Sequence, residues 1–361
     1  MLLLQRERTK MLTENVFEIA RKKIGKGHPC FIIAEAGVNH NGRLELALEL
    51  VDLAAAAGAD AIKFQTFQAE KVISSSAPKA KYQVDSVNPS ETQLEMVKKL
   101  ELDESAHIII AEHCRKKNVM FLSTPFDYES VELLGRLAVP AFKVGSGELT
   151  NLPFLEYLAT QKKPIILSTG MASLAEVEAG IHCISKFEIP FALLHCVSNY
   201  PARPEDVNLR AMQTLAEAFK VPVGFSDHTL GIEISLAAVA MGASIIEKHF
   251  TLDKTLVGPD HKASLSPQEL KDLVKGIRSI ESAFGDGIKR PAQSELEIAS
   301  VARRSIVASC DIPANVEISH SMLTYRRPGT GLPPSFFKYL VGRKTKHDIK
   351  AEQLIALEML Q

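Results

Sequence analysis

The sequence is poor in the features that mark several classes of protein. Its 361 residues carry a net charge of −1, which gives no basic field for nucleic acid or a membrane surface. The first ten residues hold four apolar residues before charges begin, too few for a signal-peptide core or a membrane span. Cysteines are few and form no Cys-x-x-Cys pair, so neither a disulfide framework nor a thiolate zinc site is indicated. They are Cys30, Cys114, Cys183, Cys196 and Cys310. We therefore expect a protein of the reducing cytoplasm.

What the sequence does contain is a regular alternation of buried-looking strands and amphipathic helices. A hydrophobic content of 46% with 24% charged residues is typical of a globular enzyme with a substantial core. Eight short apolar runs occur at 30–36, 61–66, 120–124, 142–146, 164–169, 191–197, 222–225 and 244–250. Helical patterns lie between many of them, as at 44–57 and 104–117. Eight strand-helix units predict a TIM (β/α)8 barrel, and the uniformly apolar runs favour strands buried on both faces.

The remaining segments predict a second, smaller domain. We assign residues 1–285 to the barrel, with 1–29 as an N-terminal hairpin or extension. A Gly- and Pro-containing stretch at 286–298 has the character of a linker, and 299–361 predicts a small, turn-rich β domain. Within the barrel, the connection 68–89 is longer than an ordinary βα loop and is expected to lie over the mouth as a lid.

Two histidines mark the end of the last two predicted strands. His228 and His249 are 21 positions apart, about one strand-helix repeat, so both would reach the same edge of a parallel sheet. Adjacent strands lie about 4.8 Å apart, which allows two imidazoles to bind one divalent metal. The alternative is a pair of helix-capping or core histidines. A crowd of further polar residues at this edge favours the metal site: Ser226, Asp227, Glu247, Asp260 and His261.

The other strands also end in polar residues, which in a barrel indicates an active site at the carboxyl-terminal mouth. Lys63 and Lys143 could form a cradle for a phosphate and a carboxylate. Hydroxyl donors for this cradle are Thr124, Ser146, Ser168 and Ser226. The lysines could instead pair with Glu35 and Glu148, and both interpretations can hold together. These carboxylates are suited to proton transfer or hydroxyl binding.

The same strand ends carry a resemblance to a known family, the sialic acid synthases (N-acetylneuraminate synthases). The matching motifs are IIAEAGVNHNG (32–42), KFQTF (63–67), STPFD (123–127), KVGSGELTN (143–151), STGM (168–171), LLHCVSNYPA (193–202), GFSDHTLG (224–231), EKHFTLDK (247–254) and GPDHKASL (258–265). The C-terminal part resembles the antifreeze-like (SAF) module of such synthases, including its RPGTG loop at 327–331. The resemblance covers nearly the whole chain.

The resemblance implies a transferase that condenses phosphoenolpyruvate with N-acetylmannosamine and releases phosphate. It implies a divalent metal held by His228 and His249, usually manganese, with magnesium or cobalt as alternatives. It assigns phosphoenolpyruvate to Lys63, Thr124, Lys143, Ser146, Ser168, Tyr200 and Ser226. It further assigns proton exchange to Glu35 and Glu148, and sugar hydroxyls to Asp260. It also implies a domain-swapped homodimer in which Arg327 covers the partner's mouth.

Several alternatives stay open at this point. Within the family, the sugar could be N-acetylmannosamine, its 6-phosphate, or a diacetamido sugar leading to legionaminic or pseudaminic acid. A metal-dependent or Schiff-base pyruvate aldolase on the same barrel, with Lys63 or Lys143 as nucleophile, would release no phosphate. A carbohydrate- or ice-binding protein is suggested by the C-terminal module alone, and the polar residues at every strand end argue against it.

Overall fold

The computed structural model describes residues 16–79 and 91–361. The strands are β1 Val16–Ile19, β2 Lys22–Gly25, β3 Phe31–Gly37, β4 Ala61–Thr66, β5 Met120–Pro125, β6 Phe142–Val144, β7 Ile165–Ser168, β8 Phe191–Cys196, β9 Val223–Asp227, β10 Ile245–His249, β11 Ser305–Ala308 and β12 Leu323–Arg326. The α-helices are α1 Leu44–Ala57, α2 Ala69–Val72, α3 Gln93–Lys98, α4 Glu104–Lys117, α5 Tyr128–Arg136, α6 Leu152–Thr160, α7 Leu174–Ser185, α8 Pro204–Val207, α9 Ala211–Phe219, α10 Glu233–Ala240, α11 Pro267–Ala283 and α12 Glu295–Ala302.

Strands β3 to β10 form one parallel sheet that curls into a barrel. Its order is β5-β4-β3-β10-β9-β8-β7-β6, with each pair of hydrogen-bonded neighbours parallel. The two outer strands, β5 and β6, lie in contact. The predicted TIM (β/α)8 fold is confirmed. Most of these strands are buried along their whole length, as in β3, because helices cover the outside while side chains fill the inside.

The inside of the barrel is apolar at one end and polar at the other. The antiparallel hairpin β1–β2 packs Phe17, Ile19 and Ile24 against inward-facing residues near the beginnings of the strands, such as Ile33 and Ile245. This plug leaves the carboxyl ends of the strands as the place where polar side chains gather. Because the strand-to-helix loops meet there around one concavity, this end is where a barrel builds its active site.

Local signals set the helix boundaries. Ser173 and Ser266 begin α7 and α11 as capping boxes with Glu176 and Glu269 three residues later. Helix α1 ends at Gly58, whose φ of 82° lies in the left-handed region that glycine tolerates. In the long connection after β4, the structure describes α2 and α3; residues 80–90, part of the predicted lid, lie outside the described residues.

The chain divides into two compact units, Met1–Phe284 and Gly285–Gln361. The second unit pairs β11 with β12 antiparallel around its own apolar core. One prediction needs correction: the segment 286–298 is not a plain linker, because α12 begins at Glu295. Its sequence ELEIASVA contains good helix formers, which outweigh the preceding Gly and Pro punctuation. Over residues 16–79 and 91–361, no helix combines the length and apolar character that a membrane crossing requires.

Candidate active site

A buried cluster of two lysines and two carboxylates lies at the polar end of the barrel. Lys63 Nζ on β4 lies 2.9 Å from Glu35 Oε1 on β3 and 3.7 Å from Glu247 Oε2 on β10. Lys143 Nζ on β6 lies 3.4 Å from Glu247 Oε1, which also accepts a hydrogen bond of 2.8 Å from Ser226. All four ionisable side chains are at most 5% exposed. Glu247 therefore bridges the two ammonium groups across the barrel.

The two carboxylates of this cluster have opposite proton affinities. Burial raises the pKa of Glu35 to about 7, although the Lys63 ammonium group opposes the shift. Burial would also raise the pKa of Glu247, but Lys143 and Lys63 outweigh it and lower that pKa to about 2. Glu247 is thus a fixed anion near neutral pH, whereas Glu35 can gain or lose a proton there. With this separation, Glu35 is suited to acid-base work and Glu247 to electrostatic work.

Each lysine is also held by a hydroxyl group from the next strand. Lys63 donates to Thr124 Oγ1 and Lys143 to Ser168 Oγ, both at 2.8 Å. The cluster opens on a cavity of about 300 Å³. Of the residues predicted from sequence, those that line it are Glu35, Lys63, Thr124, Lys143, Ser146, Ser168, Tyr200, His228 and His249. Two cations and several hydroxyls in a closed space suit a small ligand that carries two anionic groups.

His228 and His249 meet at the edge of the same cavity. The β9–β10 register pairs Glu247 with Ser226 and Lys248 with Asp227, so the next residues bring the two imidazoles together with ring centroids 5.5 Å apart. Tyr200 packs on both, with centroids 4.0 Å from His228 and 5.6 Å from His249. The alternative that these histidines cap helices does not hold, because neither ring caps a helix among the described residues.

A buried network behind the histidines fixes the strand ends that carry them. Asp227 Oδ2 lies 2.9 Å from Lys248 Nζ and accepts a bond of 2.5 Å from Ser235. Asp227 Oδ1 accepts from the backbone N–H and hydroxyl of Thr229, both at 2.8 Å. Because side chains alternate along a strand, Asp227 and Lys248 face away from the cavity while their neighbours His228 and His249 face it.

The two histidines differ in proton affinity: burial alone would lower the pKa of His228, but Cys196 and the Val197 carbonyl outweigh burial and raise it. His228 Nδ1 donates to the Val197 carbonyl at 2.7 Å, so Nε2 is the ligand atom when the ring is neutral. Burial, followed by the charges of His228 and Lys63, lowers the pKa of His249 well below its usual value, so that ring is neutral. Its buried Nδ1 has no hydrogen-bond partner among the described residues and lies 4.0 Å from Asp260 Oδ2. The part of the chain described here holds no cluster of three or more His, Cys, Asp or Glu side chains placed for a metal. The residues fit a metal held by two protein ligands with positions left for water and substrate.

Comparison with known proteins assigns the chain to a family. A model described as the NeuB family matches residues 50–289, and one described as the SAF domain matches residues 303–361. The chain belongs to the NeuB family. The predicted relationship to the sialic acid synthases and the predicted SAF module are thereby confirmed.

Members of the NeuB family align with nearly the whole chain. The N,N'-diacetyllegionaminic acid synthase of Campylobacter jejuni subsp. jejuni serotype O:2 is 51% identical, covering 90% of this chain and 98% of the relative. The synthase of the same name from Legionella pneumophila subsp. pneumophila is 47% identical, covering 94% and 97%. A crystal structure of an N-acetylneuraminic acid (sialic acid) synthetase from Leptospira borgpetersenii serovar Hardjo-bovis, in complex with citrate, superposes with a TM-score of 0.69 at 40% identity, covering 78% of this chain and 94% of that one.

Four predicted site residues of this NeuB chain lie elsewhere than in the lining of the main cavity. Glu148 is half-buried in a short 3-10 turn, accepts a hydrogen bond from Asn151 at 2.8 Å, and does not reach the lysines. Ser226 is not among the lining residues and donates a hydrogen bond to Glu247. Asp260 lines an adjoining cavity, and burial raises its pKa to about 6. Arg327 belongs to the second unit, where it is exposed and donates from Nε to the Ala302 carbonyl at 3.0 Å.

The central residue of the cluster, Glu247, was not among the predicted catalytic residues. The sequence interpretation gave the second carboxylate role to Glu148, but the structure places Glu247 between the lysines instead. A signal was available: Glu247 precedes His249 by two positions on one strand, so both side chains point to the same face. Because His249 faces the cavity, Glu247 must face it too, where the ammonium groups of the two lysines lie.

Proposed function

We propose that this NeuB-family protein condenses phosphoenolpyruvate with an N-acylated mannose-type sugar and releases phosphate. The carbanion-like methylene carbon of phosphoenolpyruvate bonds to the sugar aldehyde carbon, and the aldehyde oxygen becomes a hydroxyl by taking a proton. Water then adds to the former enol carbon and loses a proton. The carbon–oxygen bond to phosphate then breaks while the new hydroxyl gives its proton to the departing phosphate, which leaves a 2-keto acid and inorganic phosphate. The observation that carries this proposal is the pair of buried lysines, each backed by a hydroxyl, in one closed cavity.

The cavity separates naturally into places for the two anionic groups of phosphoenolpyruvate. We assign one group to Lys63 with Thr124 and the other to Lys143 with Ser168, since charge-assisted hydrogen bonds hold phosphate and carboxylate best. Glu247 keeps both lysines charged and in position, because its own pKa is far below neutrality. Glu35, whose pKa is about 7, moves the proton near the reacting centre. Glu148 has no proton-transfer role in this scheme.

A divalent metal, for which manganese is the first candidate and magnesium or cobalt the alternatives, would be held by His228 and His249. When bound, such an ion polarises a carbonyl oxygen and stabilises the negative charge that develops on it. Tyr200 packs on both rings, and the Asp227–Lys248 network fixes their backbone, so the chain itself orients the two ligands.

For the sugar, we propose the diacetamido-trideoxy mannose derivative that leads to N,N'-diacetyllegionaminic acid. Relatives at 51% and 47% identity are named for that product, which favours this sugar over the N-acetylmannosamine expected from the resemblance alone. We also propose a homodimer in which Arg327 of one copy serves the barrel of the other, and a cytoplasmic location. The location is supported by cysteines that are all free thiols.

Phosphate release tests the proposed reaction directly. Purified protein with manganese and phosphoenolpyruvate should release phosphate only when a suitable sugar is present. The panel consists of the diacetamido-trideoxy sugar, N-acetylmannosamine and its 6-phosphate. Absence of phosphate release with all of these sugars would overturn the proposal.

One observation favours a second candidate, the Schiff-base aldolase. Burial lowers the pKa of the Lys143 ammonium group, and a lysine with a lowered pKa is a better nucleophile toward a carbonyl. Glu247 at 3.4 Å opposes this by stabilising the charged form. The aldolase would use pyruvate in place of phosphoenolpyruvate, so product formation from pyruvate without phosphate release would select it.

A further inference from the structure

A second cavity, of about 200 Å³, adjoins the catalytic one. Gln65, Phe126, Tyr200 and His249 line both cavities. A ligand whose reacting carbon lies beside the histidines can therefore continue into the second cavity without crossing a wall. We call this second cavity the distal pocket.

The walls of the distal pocket are apolar and come from distant parts of the chain. Val38 follows β3, Phe67 follows β4 and Phe126 follows β5. The rings of Phe67 and Phe126 meet edge to face with centroids 6.3 Å apart. The remaining apolar wall comes from the connection after β4, through Val72, Ile73, Met96, Val97 and Leu100. Several of these side chains are buried, Met96 at 4% and Leu100 at 8% exposed. An apolar cluster thus stands at the mouth of an otherwise polar active site.

The charged groups that line the distal pocket also restrict what it can bind. Among its described lining residues there is no lysine or arginine, and Asp260 adds a carboxylate at the histidine side. A phosphate placed here would meet no cation among the described lining residues and would face Asp260. A hydroxyl buried against Phe67 and Leu100 would lose water without gaining a partner, whereas a methyl group would gain from leaving water.

We propose that the distal pocket selects sugars by the end remote from the aldehyde, accepting a 6-deoxy carbon and disfavouring a 6-hydroxyl or a 6-phosphate. This inference rests on the proposed function and adds the residues that set its specificity, Phe67, Val72, Met96 and Leu100. Asp260 and Gln65 remain at the entrance for the polar groups of the sugar chain. The distal pocket therefore makes this chain a synthase for deoxygenated amino sugars.

A charge placed at the rim of the distal pocket tests this specificity. Val72 lines the pocket and is 39% exposed, while Ile108 on α4 is 40% exposed and lines neither cavity. Val72→Lys and Ile108→Lys are therefore matched changes, and Val72→Thr is an isosteric polar variant for the case in which the lysine impairs folding. Specificity is the ratio of kcat/KM for the 6-deoxy diacetamido sugar to kcat/KM for the same diacetamido sugar carrying a 6-phosphate.

Wild type should prefer the 6-deoxy sugar by about ten- to a hundredfold, the range that one small group in an apolar pocket typically gives. Val72→Lys should lower that ratio about tenfold or more and Val72→Thr by a smaller factor, with the KM for phosphoenolpyruvate unchanged. Ile108→Lys should match wild type. Calorimetric titration with the reduced, unreactive alditol of the 6-deoxy sugar should show the same order of affinities.

The outcomes distinguish the specificity of the distal pocket from the condensation itself. Equal ratios in Val72→Lys, Val72→Thr and Ile108→Lys, or a wild type that prefers the 6-phosphate, would overturn the distal pocket as a specificity site while leaving the condensation intact. No phosphate release by wild type with any sugar would instead overturn the proposed function, and the inference with it.

Discussion

Glu35 and Glu247 lie on neighbouring strands of the barrel and share Lys63, yet their pKa values are about 7 and about 2. Lys143 makes the difference, because it contacts Glu247 and gives that carboxylate a second cation. Glu35 has one ammonium neighbour, and burial prevails there. One shared lysine therefore supports a permanent anion on one strand and a titrating acid on the next.

The raised pKa of Glu35 predicts a pH-dependent gain in stability for Glu35→Gln. The unfolded carboxyl ionises near its ordinary pKa of 4.5 and the folded one near 7, so ionisation penalises the folded wild type increasingly between these values and fully above pH 7. Gln does not titrate. The free energy of unfolding of the variant minus that of wild type should rise by up to about 3 kcal/mol between pH 4.5 and pH 8. Urea unfolding with chelator present measures it, and a difference that stays constant with pH would contradict the assignment.

The fold could be predicted because its signals are local and repeated. Eight buried strands each carry a short apolar run, and the β/α spacing allows one closed architecture. The same periodicity brought His228 and His249 together, since residues at equivalent ends of adjacent parallel strands must be neighbours. Lys63 and Lys143 lie inside β4 and β6, which β5 separates, and they meet because both side chains face the barrel interior.

What could not be predicted depends on side-chain direction and on long-range packing. Glu148 and Glu247 both lie near strand ends, but Glu148 sits in a 3-10 turn after β6 while Glu247 is inside β10 and faces the barrel axis. The distal pocket brings together Phe67, Phe126 and Leu100 from three separate parts of the chain. No sequence pattern within one of those parts predicts that they share a cavity. Neither pKa shift could be given a direction from sequence, because each depends on which cation lies within a few ångströms.

Lys143→Met should weaken phosphoenolpyruvate binding without unfolding the barrel. Loss of a charge-assisted hydrogen bond costs about 1.5 to 3 kcal/mol, so the KM for phosphoenolpyruvate should rise roughly ten- to a hundredfold. Lys98→Met is the matched control, because Lys98 is exposed and pairs with Glu70 on the surface. Steady-state phosphate release measures both. Borohydride treatment with pyruvate should trap no adduct, and a covalent adduct at Lys143 would establish the aldolase.

The histidine pair should bind manganese and lose that ability when either ring is removed. His249→Ala leaves one protein ligand, which is too few to hold the ion against water, and His228→Ala does the same. His113→Ala is the control, because His113 pairs with Asp52 away from the cavity. The signal of free Mn2+ in electron paramagnetic resonance reports binding independently of activity. If saturable manganese binding survives in both His228→Ala and His249→Ala, the metal binds elsewhere. If full activity survives exhaustive chelation, the reaction does not need the metal.

Arg327 is expected to complete the active site of a partner subunit. Its exposed guanidinium offers a rigid fork of donors, suited to the carbonyl of an N-acyl group. Arg327→Ala and His228→Ala homodimers should each be nearly inactive. Unfolding and co-refolding the two together should create mixed dimers in which the barrel of the Arg327→Ala chain receives the arginine of the His228→Ala chain.

Random mixing makes half of the dimers mixed, and each mixed dimer carries one intact site out of two. About a quarter of wild-type phosphate release should therefore return if the arginine acts in trans, by the statistics of two equally mixed chains. Distinct affinity tags on the two chains confirm that mixed dimers have formed. If tagged mixed dimers are present and activity stays at the level of the parents, Arg327 serves its own barrel or none, and the domain-swapped arrangement is wrong.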